Sequence, residues 1–156
     1  MATSRSSAER DGRGQAGAIE ASLRGLGTPQ RAASERAYLK SDLEFTGTAV
    51  PAIRATVRAW CRARRDLTHA ELIAVTEALW ARPVHECRMA AVELLDANPN
   101  LLEPGDAALI ERMLRTARTW ALVDGLASNV MGTLIERHPE LAAGLDRWAG
   151  DRKSVV

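Results

Sequence analysis

The sequence predicts an all-α protein, and three observations carry that prediction. Helix-start signals recur along the chain. Strand signals are weak, with no sustained apolar–polar alternation and no Asn-Gly or Asp-Gly hairpin turn. A unit of about 40 residues, each a pair of amphipathic helices, occurs twice.

Taken in order, residues 1–14 show no apolar periodicity and are expected to be a disordered tail ahead of one helical domain, 15–156. Pro51 suits the first turn of a helix running to about Arg65. Thr68 to Glu71, "THAE", has the form of a capping box, and Leu72, Ile73, Val75 and Leu79 follow as an apolar stripe. After Pro83, the residues Val84, Cys87, Ala91, Leu94 and Leu95 make a second stripe. Asp106 is a candidate cap for a helix with Leu109, Ile110, Met113 and Leu114 inward. Thr119 is a candidate cap for the last one, whose apolar set is Leu122, Val123, Leu126, Val130, Leu134 and Ile135.

The repeat appears when "WARPVHECRMAAVELLDANPNL", from Trp80, is set against "WALVDGLASNVMGTLIERHPEL", from Trp120. Trp80 then meets Trp120, Leu94 meets Leu134, Asp96 meets Glu136, Pro99 meets Pro139 and Leu101 meets Leu141. Helix pairs at this period are the mark of HEAT-type repeats, which stack into a right-handed solenoid with an extended concave face. In this alignment Asp124 falls where the first repeat has Val84. Trp120 and Asp124 are four residues apart and share one helical face. Two readings stand: an anion favoured by the helix dipole by about 0.3–1 kcal/mol, or a carboxylate displayed for chemistry.

Composition bounds the rest. At 156 residues, 46% hydrophobic and 26% charged, the chain is long enough for one globular domain with a real core. No apolar run approaches the ~18 residues of a membrane span, and the N-terminus has no signal-peptide pattern. The two cysteines, Cys61 and Cys87, and the scattered His69, His85 and His138 show no metal-binding spacing, so no metal is expected. Lysine is confined to Lys40 and Lys153 while arginine and alanine abound, which reads as the base composition of a GC-rich bacterial genome, and a cytoplasmic location is expected. The net charge of +1 hides an uneven distribution: "AIRATVRAWCRARR", 52 to 65, has five arginines and no acid. Arg54, Arg58, Arg62 and Arg65 have the spacing of one helical stripe, either an anion-docking face or a solubility face paired with Asp42, Glu44 or Asp66.

Three ordered blocks, "ERAYLKSDLEFTGTAVPAIR" (35 to 54), "ALWARPVHECRMAAVELL" (78 to 95) and "RTWALVDGLASNVMGTLIERHPELAAGLDRWAGD" (118 to 151), resemble the HEAT-like-repeat DNA alkylation repair glycosylases. The resemblance implies excision of cationic N3- and N7-alkylated purines from duplex DNA by a monomer, with no metal or organic cofactor. It implies that Asp124 is the catalytic carboxylate and Trp120 the active-site tryptophan. Tyr38 would lie near the DNA, with Arg54, Arg58, Arg62, Arg65 and Arg118 toward its backbone. Glu86 would be a structural glutamate pairing with an arginine such as Arg88 or one on a neighbouring helix.

The chain also departs from the family pattern. Where the family continues past "DRWA" with a Phe-Trp and then an Arg-Arg pattern, this sequence reads "GDRKSVV", so the helical domain is expected to be C-terminally incomplete and its activity impaired. Asn129 stands where relatives more often carry histidine. Trp60, Trp148 and an exposed His85 are expected to be structural, and Gly125 is a helical glycine open to close approach by a neighbour. The competing function is a non-catalytic HEAT-repeat module that binds DNA or protein.

Overall fold

The structure, a computed structural model, describes residues 2–143. It is all-helical, with eight α-helices among the described residues: α1 (Ala2–Leu26), α2 (Pro29–Leu39), α3 (Val50–Arg62), α4 (His69–Trp80), α5 (His85–Ala97), α6 (Ala107–Arg115), α7 (Trp120–Asp124) and α8 (Gly132–Arg137). A π-helical segment, Gly125–Met131, joins α7 to α8 without a break. None of the described helices is long and apolar enough to cross a membrane.

Three of the eight helix starts carry the signals expected of them. Thr68 Oγ1 accepts the Glu71 N–H at 3.2 Å and donates to the Glu71 carboxylate at 3.0 Å. Thr119 Oγ1 accepts the Leu122 N–H at 3.4 Å, and Pro51 lies in the first turn of α3. Each such cap satisfies an N–H that the helix itself leaves unpaired, worth typically ~1 kcal/mol. Asp106 behaves differently: its carboxylate turns away from α6, accepts the Glu103 N–H at 2.8 Å and meets His69 Nε2 at 2.9 Å. It closes a tight turn and ties α6 to the start of α4.

Residues 2–14, for which the sequence predicts a disordered tail, run as the first half of α1. Gly12 is buried there against Ala74 of α4, and Ala16, Ile19 and Leu23 continue the same buried line. Polar composition hides the N-terminal end of this contact, where the packing residue is Gly12.

The core is built from one stripe of every α-helix except α2, with Leu23, Ile53, Leu72, Leu79, Leu94, Leu95, Ile110, Met113, Leu122, Leu126 and Leu134 almost fully buried. Burying each such side chain contributes roughly 1.5–3 kcal/mol. α1 packs on α4, α4 on α5, and α5 touches both α3 and the α7–π segment.

The loop between α2 and α3 is held by a side chain. Glu86, fully buried, accepts the Thr46 N–H at 2.9 Å on one carboxylate oxygen and the Gly47 N–H at 3.0 Å on the other. This corrects the expected pairing with Arg88, whose guanidinium instead donates to the carbonyls of Trp80 (3.1 Å) and Thr116 (2.6 Å). His85 is also buried, stacked on Phe45 with centroids 4.8 Å apart, rather than exposed, because the extended loop at Glu44 bridges to Val84 and covers it. Trp60 is half-buried, donating to Gln15 and lying under Arg64, whereas Trp148 lies outside the described residues.

Candidate nucleic-acid interface

The sequence alignment of Trp80 with Trp120 does not survive in space. Trp80 closes α4, whereas Trp120 opens α7, so the two lie on opposite sides of their inter-helix turns. The later part of the alignment does hold: Leu94 and Leu134 are both buried, and tight turns begin at both Pro99 and Pro139. The slip is absorbed by the second helix of the second unit, which is longer than α5 and contains the π segment.

That segment also explains the apolar spacing. In an α-helix with 3.6 residues per turn, residues four apart drift by about 40° at each step. The wider i→i+5 turns wind less per residue and offset that drift. Leu122, Leu126, Val130 and Leu134 therefore keep to one buried face across α7, the π segment and α8. Gly125 begins the wide turns, and a Cβ there would stand 3.1 Å from Val92 Cγ1, so its absence lets the segment approach α5.

The two tryptophans now differ in environment as well. Trp80 is buried; its Nε1–H donates to Thr116 Oγ1 at 2.9 Å and Arg88 lies over its ring at 4.9 Å. Trp120 is 56% exposed. Its ring meets that of Tyr38, 72% exposed on the last turn of α2, edge to face at 6.0 Å and 76°. Two large aromatic groups held together at the surface are uncommon in a soluble protein without a ligand for them.

Asp124 is exposed and ends α7 one turn beyond Trp120. It lines an open groove of about 570 Å³ that runs from Arg54 on α3, over Met89, Glu93 and Asp96 on α5, to Ser128 and Asn129 on the π segment. No ion pair among the described residues involves Asp124. The structure thus places Asp124 and Arg54 along one groove, with Trp120 and Tyr38 outside its lining.

The arginine stripe is only partly continuous. Arg54, Arg58 and Arg62 are exposed on α3, but the helix ends at Arg62 and Arg65 lies in the following turn. Arg54 Nε donates to Glu93 at 3.2 Å, a partner the sequence did not suggest. Of the proposed counter-ions, Glu44 pairs with Arg24 and Asp42 with Arg118, leaving Arg58, Arg62 and Arg65 out of any ion pair among the described residues. No spacing signal links Arg54 to Glu93 or Arg118 to Asp42, because each pair joins distant elements.

Electrostatics around Arg118 are tight. Burial lowers the pKa of the Arg88 guanidinium, and the nearby Arg118 charge lowers it further, while Asp42 opposes both. Arg118 itself has φ of 66°, a left-handed conformation that costs a non-glycine residue roughly 1–2 kcal/mol. The groups around it over-determine that conformation: Trp80 and Arg88 both bind Thr116, and Thr119 caps α7.

These features define an all-α protein that displays a carboxylate and Arg54 along one groove, with an exposed aromatic pair outside its lining and further exposed arginines on α3. A family model for the DNA alkylation repair enzymes matches residues 19–154, nearly the whole chain, and the protein belongs to that family. No curated protein and no solved structure matches the chain. Membership points to DNA repair, with DNA as the partner.

Proposed function

We infer that the protein is a DNA glycosylase that hydrolyses the N-glycosidic bond of cationic N3- or N7-alkylated purines in duplex DNA. The observation that carries this reading is the joint display of Trp120, 56% exposed, and Asp124, exposed and outside any ion pair among the described residues, on successive turns of one helix. Neither position serves the core, and both residue types suit a cationic transition state.

An alkylated purine already bears a positive charge, so it leaves with the bonding electrons of the glycosidic bond without first being protonated. Positive charge then develops on the deoxyribose. The Asp124 carboxylate stabilises that charge and orients the attacking water, a contribution of typically 10²–10³ in rate for one electrostatic group. The electron-rich face of Trp120 attracts the same cation. Water adds at the sugar carbon, its proton is released to solvent, and the products are the free alkylpurine and an abasic site. Tyr38 borders the aromatic end of the site, while Arg58, Arg62, Arg65 and Arg118 take backbone phosphates and Arg54 guides from the groove rim. The α4–α5 and α6–α7–α8 pairs stack in this reading as a HEAT-like right-handed solenoid whose groove cradles the duplex.

A second reading, a non-catalytic module that binds DNA or protein, draws on the groove itself. Glu93 and Asp96 add carboxylates to the wall that holds Asp124, and these repel phosphates, which within this reading favours protein over DNA in the groove itself. Release of 7-methylguanine from methylated duplex DNA separates the two. Release by the wild type, lost by about 100-fold in Asp124→Asn, supports the glycosylase. Duplex binding with no release from either protein would favour the binding module and defeat the enzyme.

A further inference from the structure

Arg118 Nη1 donates to Asp42 Oδ2 at 2.5 Å, joining two segments that are distant in sequence. Each segment is fixed without help from this pair. The Arg118 turn is tied to the α4–α5 pair through Thr116, which accepts from Trp80 Nε1 and Arg88 Nη1. The Asp42 loop is pinned by Glu86 at Thr46 and Gly47 and by the extended bridge of Glu44 to Val84. The two charged side chains are 56% and 70% exposed, so their attraction adds little to folding.

The position of the pair is what distinguishes it. Arg118 lies two residues before the exposed Trp120, and Tyr38, against that indole, lies four residues before Asp42. The ion pair therefore borders the aromatic platform. A carboxylate and a phosphate both offer a guanidinium anionic oxygens that accept charge-assisted hydrogen bonds.

We propose that Asp42 occupies, in the free protein, the place of a DNA phosphate on Arg118, as a built-in counter-ion that the duplex displaces. Asp42 is then a positioning residue. It holds the Arg118 guanidinium in place before DNA arrives and limits affinity by competing for it. This rests on the DNA-binding reading and adds to it a residue that weakens binding.

The test is fluorescence anisotropy with a labelled 20-base-pair duplex, comparing wild type, Asp42→Asn, Arg118→Gln and the double variant over a range of salt. Thermal melting confirms that each variant is folded. Asp42→Asn is expected to bind about two- to five-fold tighter at low salt, the range of one exposed ion pair, with the gap narrowing as salt rises. Arg118→Gln binds more weakly, and adding Asp42→Asn to it changes nothing further. An equal gain from Asp42→Asn with and without Arg118 would mean general charge reduction and would overturn the proposal. Unchanged or weaker binding by Asp42→Asn, in a wild type that binds DNA, would overturn it while leaving the DNA reading intact. A wild type that binds no duplex would remove both.

Discussion

Glu86 and Gly47, 39 positions apart in sequence, are joined by a buried hydrogen bond of 3.0 Å from the Gly47 N–H to the Glu86 carboxylate. The other carboxylate oxygen takes the Thr46 N–H, so one side chain from α5 anchors the α2–α3 connection at Thr46 and Gly47. Replacing the carboxylate by an amide turns one acceptor into a donor facing a backbone N–H. Glu86→Gln is expected to lower stability by about 2–4 kcal/mol, read from the midpoint of urea unfolding, because hydrogen bonds to charged groups are the strong ones and a buried orphan is costly. A change below 0.5 kcal/mol would show that the loop is held by other contacts.

Gly47 is constrained from the other side of the same bond. Its φ is +78°, and a Cβ there would stand 2.1 Å from the Thr28 carbonyl oxygen. Gly47→Ala is expected to cost about 2–4 kcal/mol in the same unfolding assay, since it adds left-handed strain to a backbone clash. Gly14, where a Cβ would meet nothing within 4 Å, serves as the control. Gly14→Ala in mid-helix is expected to be neutral or stabilising by up to ~1 kcal/mol.

His85 gives the fold a pH dependence with a definite sign. Burial lowers its pKa below 6.5, the nearby Glu86 charge opposes this in part, and Nδ1 has no hydrogen-bond partner. The folded state then binds fewer protons than the unfolded state below about pH 6.5, so stability is retained above that value and lost as pH falls. Glu35 acts with the opposite sign, its carboxyl raised above 4.5 by burial and by the Glu86 charge. The useful quantity is therefore the difference between two proteins. Melting temperature from pH 7.5 to 5 is expected to fall more steeply for wild type than for His85→Phe, which keeps a ring against Phe45. Parallel curves would show that His85 protonates freely in the folded state.

Trp120 and Asp124 are expected to dissociate function from stability. Both are exposed, so Trp120→Ala and Asp124→Asn should change unfolding free energy by less than about 0.5–1 kcal/mol. In the 7-methylguanine release assay Asp124→Asn should nearly abolish activity, and Trp120→Ala should reduce it by about 10-fold, with Trp120→Phe intermediate. Loss of folding in either variant would instead assign these side chains to structure.

Much of the fold was legible because its signals are local. Thr68, Thr119 and Pro51 mark helix starts through one-turn chemistry, and the buried Leu94 and Leu134 are paired correctly by the repeat. The misplacement of Trp80 against Trp120 has a physical cause: apolar residues four apart suit an α-helix or a wider one, so the π segment leaves no separate trace in the sequence. Asp124 and Trp120 stood out as a carboxylate and an indole on one predicted face, and the structure exposes both. The partners of Arg54, Arg118 and Glu86 were not legible, since each contact joins elements about 40 or more residues apart. The first half of α1 was missed because the contact it makes runs through Gly12, which carries no hydrophobic pattern.

The π segment between α7 and α8 has a consequence for how this protein tolerates inserted and deleted residues. Helical phase is set by residue count, and removing one residue from Gly125–Met131 would turn everything on its N-terminal side by about 100° relative to Leu134 if the helix stayed α. The wide turns act as slack in the thread: the seam that buries Leu134 and the display of Trp120 and Asp124 can each keep their own orientation. A residue gained or lost there is absorbed as an exchange between wide and ordinary turns, leaving the aromatic and the carboxylate displayed and the neighbouring helices in place.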